Sequence, residues 1–473
     1  MSVSIKEPSL LQDIDTKIKE ASTLLTRFLY CDTSAMLRGK TTHVKHLKNR
    51  MNTGIGLVKG MMAMNMLDHL QVETGLGAVG EVRLVPDPQS FIVLPYVEGS
   101  AAMFCDMLEL DHTPWSFCPR SLLKRQVEAA KEMNISFKMA FEPEFMVGRK
   151  PDVVAESEGV FNPIEQSLCF STEGMNKANA FINGFIDAME RQNVSIEQYY
   201  PELGHGQHEI SIAPQDPVKA ADSLLVYRDT LKAVAFNHDL IATMAPKPVA
   251  EQAGNGCHLH LSAWDLAGQN NLFYKDTASG AEINGGRDSQ QLSDFAKDFI
   301  SGLLEHLPAI VALSCASVNS YRRLKPSSWS SAFVCWGFEN REAAVRVPST
   351  YWGNESNSTN LEIKCVDASC NPYLTLTAVI AAGLDGLKNK YALPEPIEVD
   401  PGSLTLEQLR ERNIRVLPRS LEDALEELDQ DDVIKTAIGS EFAKVYTTVK
   451  RSEITTFAAK GAPYEFHHHQ ARL

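Results

Sequence analysis

The sequence has little of what a secreted, membrane or nucleic-acid-binding protein requires. No apolar run reaches the length of a membrane span, and the first twenty residues lack the apolar core of a signal peptide. The formal charge of −15 provides no basic face for nucleic acid. The nine cysteines are odd in number and lack paired or zinc-ribbon spacing, which favours reduced, mostly buried thiols. We therefore expect a cytoplasmic protein that acts on small molecules and binds neither nucleic acid nor a membrane.

The chain also lacks a Walker-type Gly-x-x-x-x-Gly-Lys-Ser/Thr motif, an internal repeat and a long low-complexity linker. A standard P-loop nucleotide site is therefore not expected. With 473 residues the chain can bury a large core, in more than one domain or in one large domain with an appendage. Up to about residue 115 the pattern predicts a small β-rich domain, and helices and strands alternate after it.

Local patterns predict most of the individual elements. In the first part we expect a helix over residues 8–28, a strand over 28–31, an exposed turn at 38–40, and a hairpin of strands 81–85 and 91–94. Further helices are predicted over residues 119–132, 177–192, 217–237, 292–313 and 371–388. Strands are predicted over 135–140, 240–244 and 257–261, loops over 267–287 and 350–360, and a charged helical tail over 404–457.

Two carboxylates stand in the sequence Phe-Glu-Pro-Glu-Phe at residues 141–145, directly after a predicted strand. Residues two apart on a strand point to the same face, so Glu142 and Glu144 should project together, while Pro143 removes a ladder donor. Because parallel carboxylates repel each other, a divalent cation between them is the functional interpretation. The alternative is a solvated acidic edge strand, which is the commoner case for an isolated pair.

Further polar groups stand at turns and on strands. Glu202 and Glu209 flank a glycine-bearing turn, which taken alone is typical of a solvated loop. His258, His260 and Ser262 share one face of a predicted strand, and the leucines between them share the other. Two histidines on one face favour a site, although satisfied core histidines remain the alternative.

Several arginines stand among apolar and aromatic residues, within residues 319–324, 336–341 and 345–348. Such arginines suit carboxylate or phosphate groups, and a set of structural ion pairs is the alternative. Glu362 and Lys364 share one face of a predicted strand, which alone indicates an ordinary charge pair. Carboxylates with an imidazole favour Mg²⁺ or Mn²⁺, and adjacent arginines suit phosphoryl transfer.

Six motifs follow one another along nearly the whole chain. They are Glu-Pro-Glu-Phe at 142–145, Gly-x-Gly-Gln-x-Glu at 204–209, Gly-x-Gly-x-His-x-His-x-Ser at 254–262, Asn-Ser-Tyr-x-Arg-Leu at 319–324, Asn-Arg at 340–341 and Asn-Pro-Tyr-Leu at 371–374. With these motifs the sequence resembles the glutamine synthetase superfamily. The stretch from residue 367 to 386 is most similar to the branch of γ-glutamylmethylamide synthetases and other γ-glutamyl-amine ligases.

The resemblance implies an α+β fold in which a small N-terminal β-grasp domain with a leading helix, residues 1–115, precedes a large catalytic α/β domain, residues 116–473. It implies glutamate, ATP and a small amine as substrates, with two or more Mg²⁺ or Mn²⁺ ions per site. It also implies a homododecamer of two hexameric rings whose active sites lie between neighbouring subunits.

By motif position, the resemblance implies a role for each candidate site residue. One metal would be held by Glu144, Glu202 and Glu209, and the second by Glu142, His258 and Glu362. ATP would contact His260, Ser262 and Arg346, and glutamate would contact Ala253, Gly254, Arg323, Arg341 and Lys364. Arg341 would act on the transferring phosphoryl group, and the amine pocket would contain Trp329, Glu202 and Asp32, the last reaching a neighbouring subunit.

Three positions depart from the family pattern. Trp329 stands where a flap glutamate normally holds and deprotonates ammonium, and an indole cannot accept a proton, which favours a substituted amine. Lys364 replaces an arginine expected on the substrate carboxylate, so a point charge replaces a bidentate fork. Asn360 replaces a cationic position near the nucleotide phosphates. The tyrosine region that some relatives adenylylate is not recognisable around residues 391–394.

The sequence thus predicts an ATP-dependent ligase that phosphorylates the γ-carboxylate of glutamate and joins it to methylamine, another alkylamine, ethanolamine or a polyamine. A glutamine synthetase that uses ammonium is the first alternative. A catalytically silent, ring-forming regulatory homologue is the second, and Lys364 and Asn360 are its best support.

Overall fold

The computed structural model describes residues 8–150, 161–275 and 292–473. The first helix, α1 (Pro8–Glu20), ends before the predicted boundary at residue 28, and strand β1 (Leu25–Cys31) follows. The helical prediction was wrong here because Leu24, Leu25 and Phe28 have helix-like spacing. Only Phe28 of these three is buried, and β1 is fixed instead by pairing with strands distant in sequence.

The N-terminal part contains a six-stranded sheet with the order β2-β1-β6-β4-β3, to which β5 adds by pairing with β6. The further strands are β2 (Leu37–His43), β3 (Ile55–Val58), β4 (Glu81–Pro86), β5 (Ile92–Val93) and β6 (Ser100–Leu108), and helix α2 (Val44–Thr53) follows β2. Two predictions were wrong. Residues 38–40 lie within β2 rather than in a turn, and β4 and β5 do not form a hairpin because both pair with β6.

The larger part is built on an eight-stranded sheet with the order β13-β14-β15-β11-β7-β9-β8, to which β10 adds by pairing with β7. Its strands are β7 (Ile135–Arg149), β8 (Ile196–Pro201), β9 (Gln207–Ile212), β10 (Leu240–Thr243), β11 (Cys257–Asp265), β13 (Trp336–Phe338), β14 (Val345–Val347) and β15 (Leu361–Ile363). A separate pair is formed by β12 (Phe333–Val334) and β16 (Arg415–Val416). Strand β7 continues past the predicted end at residue 140 and carries the Glu-Pro-Glu motif inside the sheet.

Helices accompany this sheet and form most of the tail. They are α3 (Pro119–Glu132), α4 (Thr172–Glu190), α5 (Pro217–Asn237), α6 (Asp294–Ser314), α7 (Ser320–Arg323), α8 (Glu355–Ser358), α9 (Pro372–Asn389), α10 (Leu406–Glu411), α11 (Leu421–Gln430), α12 (Asp432–Ile438), α13 (Ser440–Lys460) and α14 (Ala462–Arg472). Helix α8 interrupts the loop predicted over 350–360. Of the loop predicted over 267–287, residues 276–287 lie outside the described residues.

The start of α9 shows how sequence fixes an element near the site. The side chain of Asn371 accepts hydrogen bonds from the backbone N–H groups of Tyr373 and Leu374, and Pro372 occupies the first turn, where no donor is needed. The Asn371 amide also donates to the backbone oxygen of Asp32 at 2.9 Å. Helix α9 is thereby tied to the turn that follows β1 in the N-terminal sheet.

A single large apolar cluster contains residues from both sheets, among them Phe28 and Met103 of the smaller and Phe145 and Leu259 of the larger. All nine cysteines are free and eight are buried, which confirms the expectation of packing thiols. Within the described ranges, no helix is both long and apolar enough to cross a membrane.

Candidate active site

The candidate carboxylates and imidazoles lie on four adjacent strands in the middle of the larger sheet, β9, β7, β11 and β15. The strand register places Glu144 opposite Glu209, Glu142 opposite His258, and His260 opposite Glu362. Cross-strand partners share a face of the sheet. The structure therefore brings these side chains together from segments far apart in the chain.

One group of possible metal ligands consists of Glu142, His260 and Glu362, whose ligand atoms all lie within 4.8 Å of one another. The His260 Nε2 atom is 3.2 Å from the Glu142 Oε2 atom and 4.0 Å from the Glu362 Oε1 atom. Nδ1 of His260 is 2.8 Å from the Asn360 side-chain oxygen, and Arg346 binds Glu362 at 2.5 Å. The distance between His260 and Glu142 is thus shorter than any distance from His258, the predicted ligand, to Glu142 or Glu362.

His258 also lies close to Glu362, with 3.5 Å between Nδ1 of His258 and Oε1 of Glu362. The ammonium group of Lys364, a side chain with only 1% exposure, lies 3.3 Å from Glu362 Oε1 and 3.4 Å from His258 Nε2. Lys364, which the family resemblance places on glutamate, therefore contacts two of the predicted metal ligands.

The charges in this group offset one another. Burial acts to raise the pKa of Glu362, but Lys364, His260, His258 and Arg346 outweigh it, so this pKa lies well below its ordinary value. Burial acts to lower the pKa of His260, but the adjacent Glu142 outweighs it and raises the pKa to about 9. In this part of the site each carboxylate therefore has a cationic partner.

The carboxylates of Glu144, Glu202 and Glu209 are less well compensated, because Arg323 and Arg341 act on them only without a direct ion pair. Burial, then the charge of Glu202, raises the pKa of Glu144 to about 7. Burial, then the charges of Glu142 and Glu144, raises the pKa of Glu209 well above its ordinary value. Among the described residues, no lysine or arginine forms a salt bridge with any of the three. Such crowded anions suit a bound cation.

Hydrogen bonds from neutral groups fix the positions of these carboxylates. Gln207 donates from Nε2 to Glu144 Oε2 at 2.9 Å and to the backbone oxygen of Gly254 at 2.9 Å. The hydroxyl of Tyr200 donates to Glu209. The site thus has an ordered shell of amide and phenol donors, and Gln207 links Glu144 to the Gly254 turn.

The turn at Gly254 also contacts Arg323. A Cβ atom at Gly254 would lie 2.5 Å from the backbone oxygen of Pro246 and 2.7 Å from Cγ of Arg323, so only glycine fits. Arg323 is buried, donates from Nη2 to the backbone oxygen of Val366 at 3.0 Å, and has no hydrogen-bond partner for Nε among the residues described. Its positive charge acts on Glu144. Arg323 is therefore a buried cation close enough to Glu144 to affect its pKa, with one donor that is not used by the described residues.

The remaining candidates lie around this centre. Ser262 is buried on β11, and its hydroxyl accepts a hydrogen bond from the Trp264 indole at 2.8 Å. Arg341 is exposed on the loop after β13 and forms no salt bridge within the described segments, and its charge opposes the raised pKa that burial gives Glu202. Trp329 lies on a loop with 59% of its surface exposed.

Asp32 is placed apart from the other candidates. Its side chain is fully buried after β1, and Oδ2 accepts a hydrogen bond from Arg38 at 2.5 Å. Burial raises the pKa of Asp32. Its role toward a neighbouring subunit stays a prediction.

One residue of this region was missed by the sequence reasoning. Glu342 directly follows the Asn-Arg motif and is buried, and its Oε1 atom accepts a hydrogen bond from the backbone N–H of Trp329 at 2.6 Å. A signal was present, because Glu342 stands between the Asn-Arg motif and the apolar residues Ala343, Ala344 and Val345.

Comparison with known families identifies the class. The catalytic-domain model of glutamine synthetase matches residues 116–469, and the model of the glutamine synthetase N-terminal domain matches residues 13–115. The chain belongs to the glutamine synthetase family, which confirms the predicted superfamily and α+β fold. It is a glutamine synthetase-family ligase, and this family uses ATP and divalent metal ions.

Individual relatives include enzymes of more than one specificity. The chain is 33% identical over 435 residues to γ-glutamylpolyamine synthetase GlnA3 of Streptomyces coelicolor, covering 90% of this chain and 88% of that protein. It is 33% identical over 397 residues to glutamine synthetase of Halobacterium salinarum, covering 81% and 82%.

Solved structures agree with this assignment. A novel glutamine synthase homologue matches with a TM-score of 0.82 at 28% identity, over 95% of this chain and 99% of that one. A complex of GmaS with ADP matches with a TM-score of 0.80 at 25% identity, over 94% and 96%. These two solved proteins thus share the fold of this chain over nearly its whole length.

Proposed function

We propose that the protein joins the γ-carboxyl group of glutamate to a substituted amine while ATP is converted to ADP and phosphate. The observation that carries this proposal is the combination of a buried carboxylate and imidazole centre with an adjoining pocket bordered by Trp329 and Arg341. The similarity to a γ-glutamylpolyamine synthetase and to GmaS supports an amine larger than ammonium.

The residues fit divalent metal ions. Glu144, Glu202 and Glu209 form a crowded anionic group without a basic partner in the described part of the chain, and these residues would hold one ion. Glu142, Glu362 and a histidine would hold another, and His260 is the histidine whose ligand atom lies within 4.8 Å of both carboxylates. Bound Mg²⁺ or Mn²⁺ would supply charge neutralisation for phosphoryl oxygens.

The chain's own residues would position and neutralise the reacting groups. Arg323 and the Gly254 turn would hold glutamate, and Arg346 and Ser262 would hold the nucleotide. An oxygen of the γ-carboxylate attacks the terminal phosphorus of ATP and ADP leaves, with Arg341 placed to stabilise the charge on the transferring group. The amine nitrogen then attacks the acyl carbon, loses a proton, and phosphate leaves. Glutamate, ATP and the amine thus become a γ-glutamyl amide, ADP and phosphate.

The experiment is a phosphate-release assay with glutamate, ATP and Mg²⁺ against a panel of ammonium, methylamine, ethylamine, ethanolamine and polyamines. We expect release that depends on both glutamate and an organic amine. Release with ammonium alone would favour glutamine synthesis. No release with any amine would favour the silent homologue and would refute the proposal.

The domain boundary at residue 115, the cytoplasmic location and the double-ring dodecamer remain proposals. Light scattering on the purified protein tests the last of these, and a mass far from twelve times the 52.3 kDa of one chain would contradict it.

A further inference from the structure

A cavity of about 380 Å³ lies beside the candidate active site, between the Trp329 loop, the segment after β13 and residues 396–400. Its charged lining residues are Glu339, Arg341, Glu342, Glu398 and Asp400, and its aromatic lining residues are Trp329 and Phe338. Among these lining residues, four carboxylates face a single cation. The cavity therefore favours a positively charged ligand.

Glu342 is the buried anion of this cavity, with 6% exposure. Oε1 accepts the hydrogen bond from the Trp329 backbone N–H, but Oε2 is buried and has no hydrogen-bond partner in the described segments. A buried carboxylate oxygen without a donor is unfavourable, and a donor supplied by a ligand would remove that cost. Burial, and after it the charge of Asp400, raises the pKa of Glu342, and a cationic ligand beside this carboxylate would act in the opposite direction.

Two electrostatic interactions relate the cavity to the reacting centre. Arg341 lines the cavity, and its charge acts on Glu202, one of the crowded carboxylates. Lys364, which contacts Glu362, acts electrostatically on Glu342. Glu342 is thus the buried lining carboxylate on which the charge of Lys364 acts.

The outer part of the cavity has a different character. Glu339 and Glu398 are exposed, and the indole ring of Trp329, which is also exposed, provides an apolar and π-rich surface. An alkyl chain can lie along such a surface, and a second ammonium group is favoured among exposed carboxylates and beside an indole. A methyl group alone would use little of this lining.

We propose that this cavity is the amine-binding site, that Glu342 accepts hydrogen bonds from the ammonium group of the bound amine, and that the outer carboxylates select an aliphatic diamine or polyamine. This inference rests on the proposed glutamate-amine ligase activity and names its substrate class. Glu342 would also supply the carboxylate that is missing from the loop at Trp329.

The test uses Glu342→Gln, which keeps the shape and removes the charge, with Glu395→Gln as the matched control. Glu395 is an exposed carboxylate of the same 391–400 segment and does not line the cavity. Amine-dependent phosphate release is measured with 1,4-diaminobutane, butylamine and hydroxylamine. Hydroxylamine is uncharged near neutral pH, so its reaction should not need a carboxylate that binds ammonium.

We expect Glu342→Gln to raise the KM for both charged amines by about tenfold or more, the loss expected for one hydrogen bond to a charged group. The KM values for glutamate and ATP, and the rate with hydroxylamine, should stay near those of the unmodified protein. Glu395→Gln should change none of these values. The unmodified enzyme should prefer 1,4-diaminobutane to butylamine, and Glu398→Gln should reduce that preference.

Unchanged amine KM values in Glu342→Gln, or equal use of butylamine and 1,4-diaminobutane by the unmodified enzyme, would overturn the inference while leaving the ligase proposal intact. An unmodified protein that releases no phosphate with any amine, hydroxylamine included, would instead overturn the proposed function. A retained hydroxylamine rate shows that the Glu342→Gln variant is folded.

Discussion

The two halves of the candidate site differ in how the chain builds them. The metal-ligand half lies on adjacent strands, where backbone pairing fixes Glu144 against Glu209 and His260 against Glu362. The amine half lies on loops, where Trp329 and Arg341 are exposed and Trp329 has a left-handed backbone with φ of 56°. Under the proposed function, phosphoryl transfer would depend on side chains whose positions are fixed by strand pairing, whereas the choice of amine would depend on loop positions, which tolerate sequence change.

The largest expected effect is in the strand half. Glu144→Gln should lower phosphate release by about a thousandfold or more, because it removes a predicted metal ligand from a charge-stabilising centre. The same change should leave the metal-free protein equally or more stable, since a buried, repelling charge is lost.

Thermal unfolding with and without Mn²⁺ measures the second part of that prediction. The unmodified protein should be stabilised by Mn²⁺ and the variant much less. Glu197→Gln, at an exposed carboxylate on strand β8 of the same sheet, is the control and should behave as the unmodified protein does. Full activity in Glu144→Gln would contradict the assignment of Glu144 as a metal ligand.

Lys364 should have the next largest effect. Lys364→Met removes a buried cation from Glu362, so we expect a loss of about 3 kcal/mol in the free energy of unfolding without metal. Added Mn²⁺ should recover part of that loss by supplying a cation to Glu362. Lys364→Arg, which keeps the charge, is the comparison and should lose less. Chemical denaturation measures all three proteins, and a stability of Lys364→Met that matches the unmodified chain would contradict the ion pair.

Trp329 should affect specificity without affecting stability. Trp329→Glu introduces an acidic side chain into the loop. We expect the ratio of kcat/KM for ammonium to kcat/KM for butylamine to rise about tenfold. The melting temperature should stay unchanged because the residue is exposed. Kinetics with both amines measure the ratio, and Trp352→Glu, at another exposed tryptophan, is the control. An unchanged ratio would argue that this loop does not select the amine.

A site outside both halves should give the smallest effect. His306 lies 2.7 Å from Asp431 and 3.1 Å from Asp385. Burial acts to lower the pKa of His306, but both aspartates outweigh it and the pKa is raised. A raised folded-state pKa gives stability that is fully present below the unfolded value near 6.5 and is lost as pH rises through the folded value.

His306→Gln should therefore cost about 1 kcal/mol of stability at pH 6 and less at pH 9, with amine kinetics unchanged. Thermal unfolding at the two pH values measures the difference, and the exposed His69→Gln serves as the control. A loss of stability in His306→Gln that is larger at pH 9 than at pH 6 would contradict a raised pKa for His306.

Local signals predicted the elements whose ends are locally determined. The helices over residues 119–132 and 217–237 have the predicted boundaries, since a proline begins each of them. The region after α1 was mispredicted because strand pairing between distant segments overrode the local spacing. The same limitation applies to β5, whose partner could not be read from its own sequence.

The site shows a similar division. Alternation correctly placed Glu142 with Glu144, and His258 with His260, on shared faces. It could not tell which histidine stands nearer to Glu142, because the strand register pairs Glu142 with His258 whereas the side chain of His260 is the one that approaches it. It also could not show that the Glu362–Lys364 charge pair is buried, or that Glu342 accepts a hydrogen bond from the backbone of Trp329. These contacts join segments whose approach only the folded chain defines.

The most direct test of the proposed activity is product identification in competition. The protein is incubated with glutamate, ATP, Mg²⁺ and equal concentrations of ammonium and 1,4-diaminobutane, and the products are separated by mass spectrometry. The γ-glutamyl amide of the diamine is predicted to be the main product. Glutamine as the main product would contradict the account.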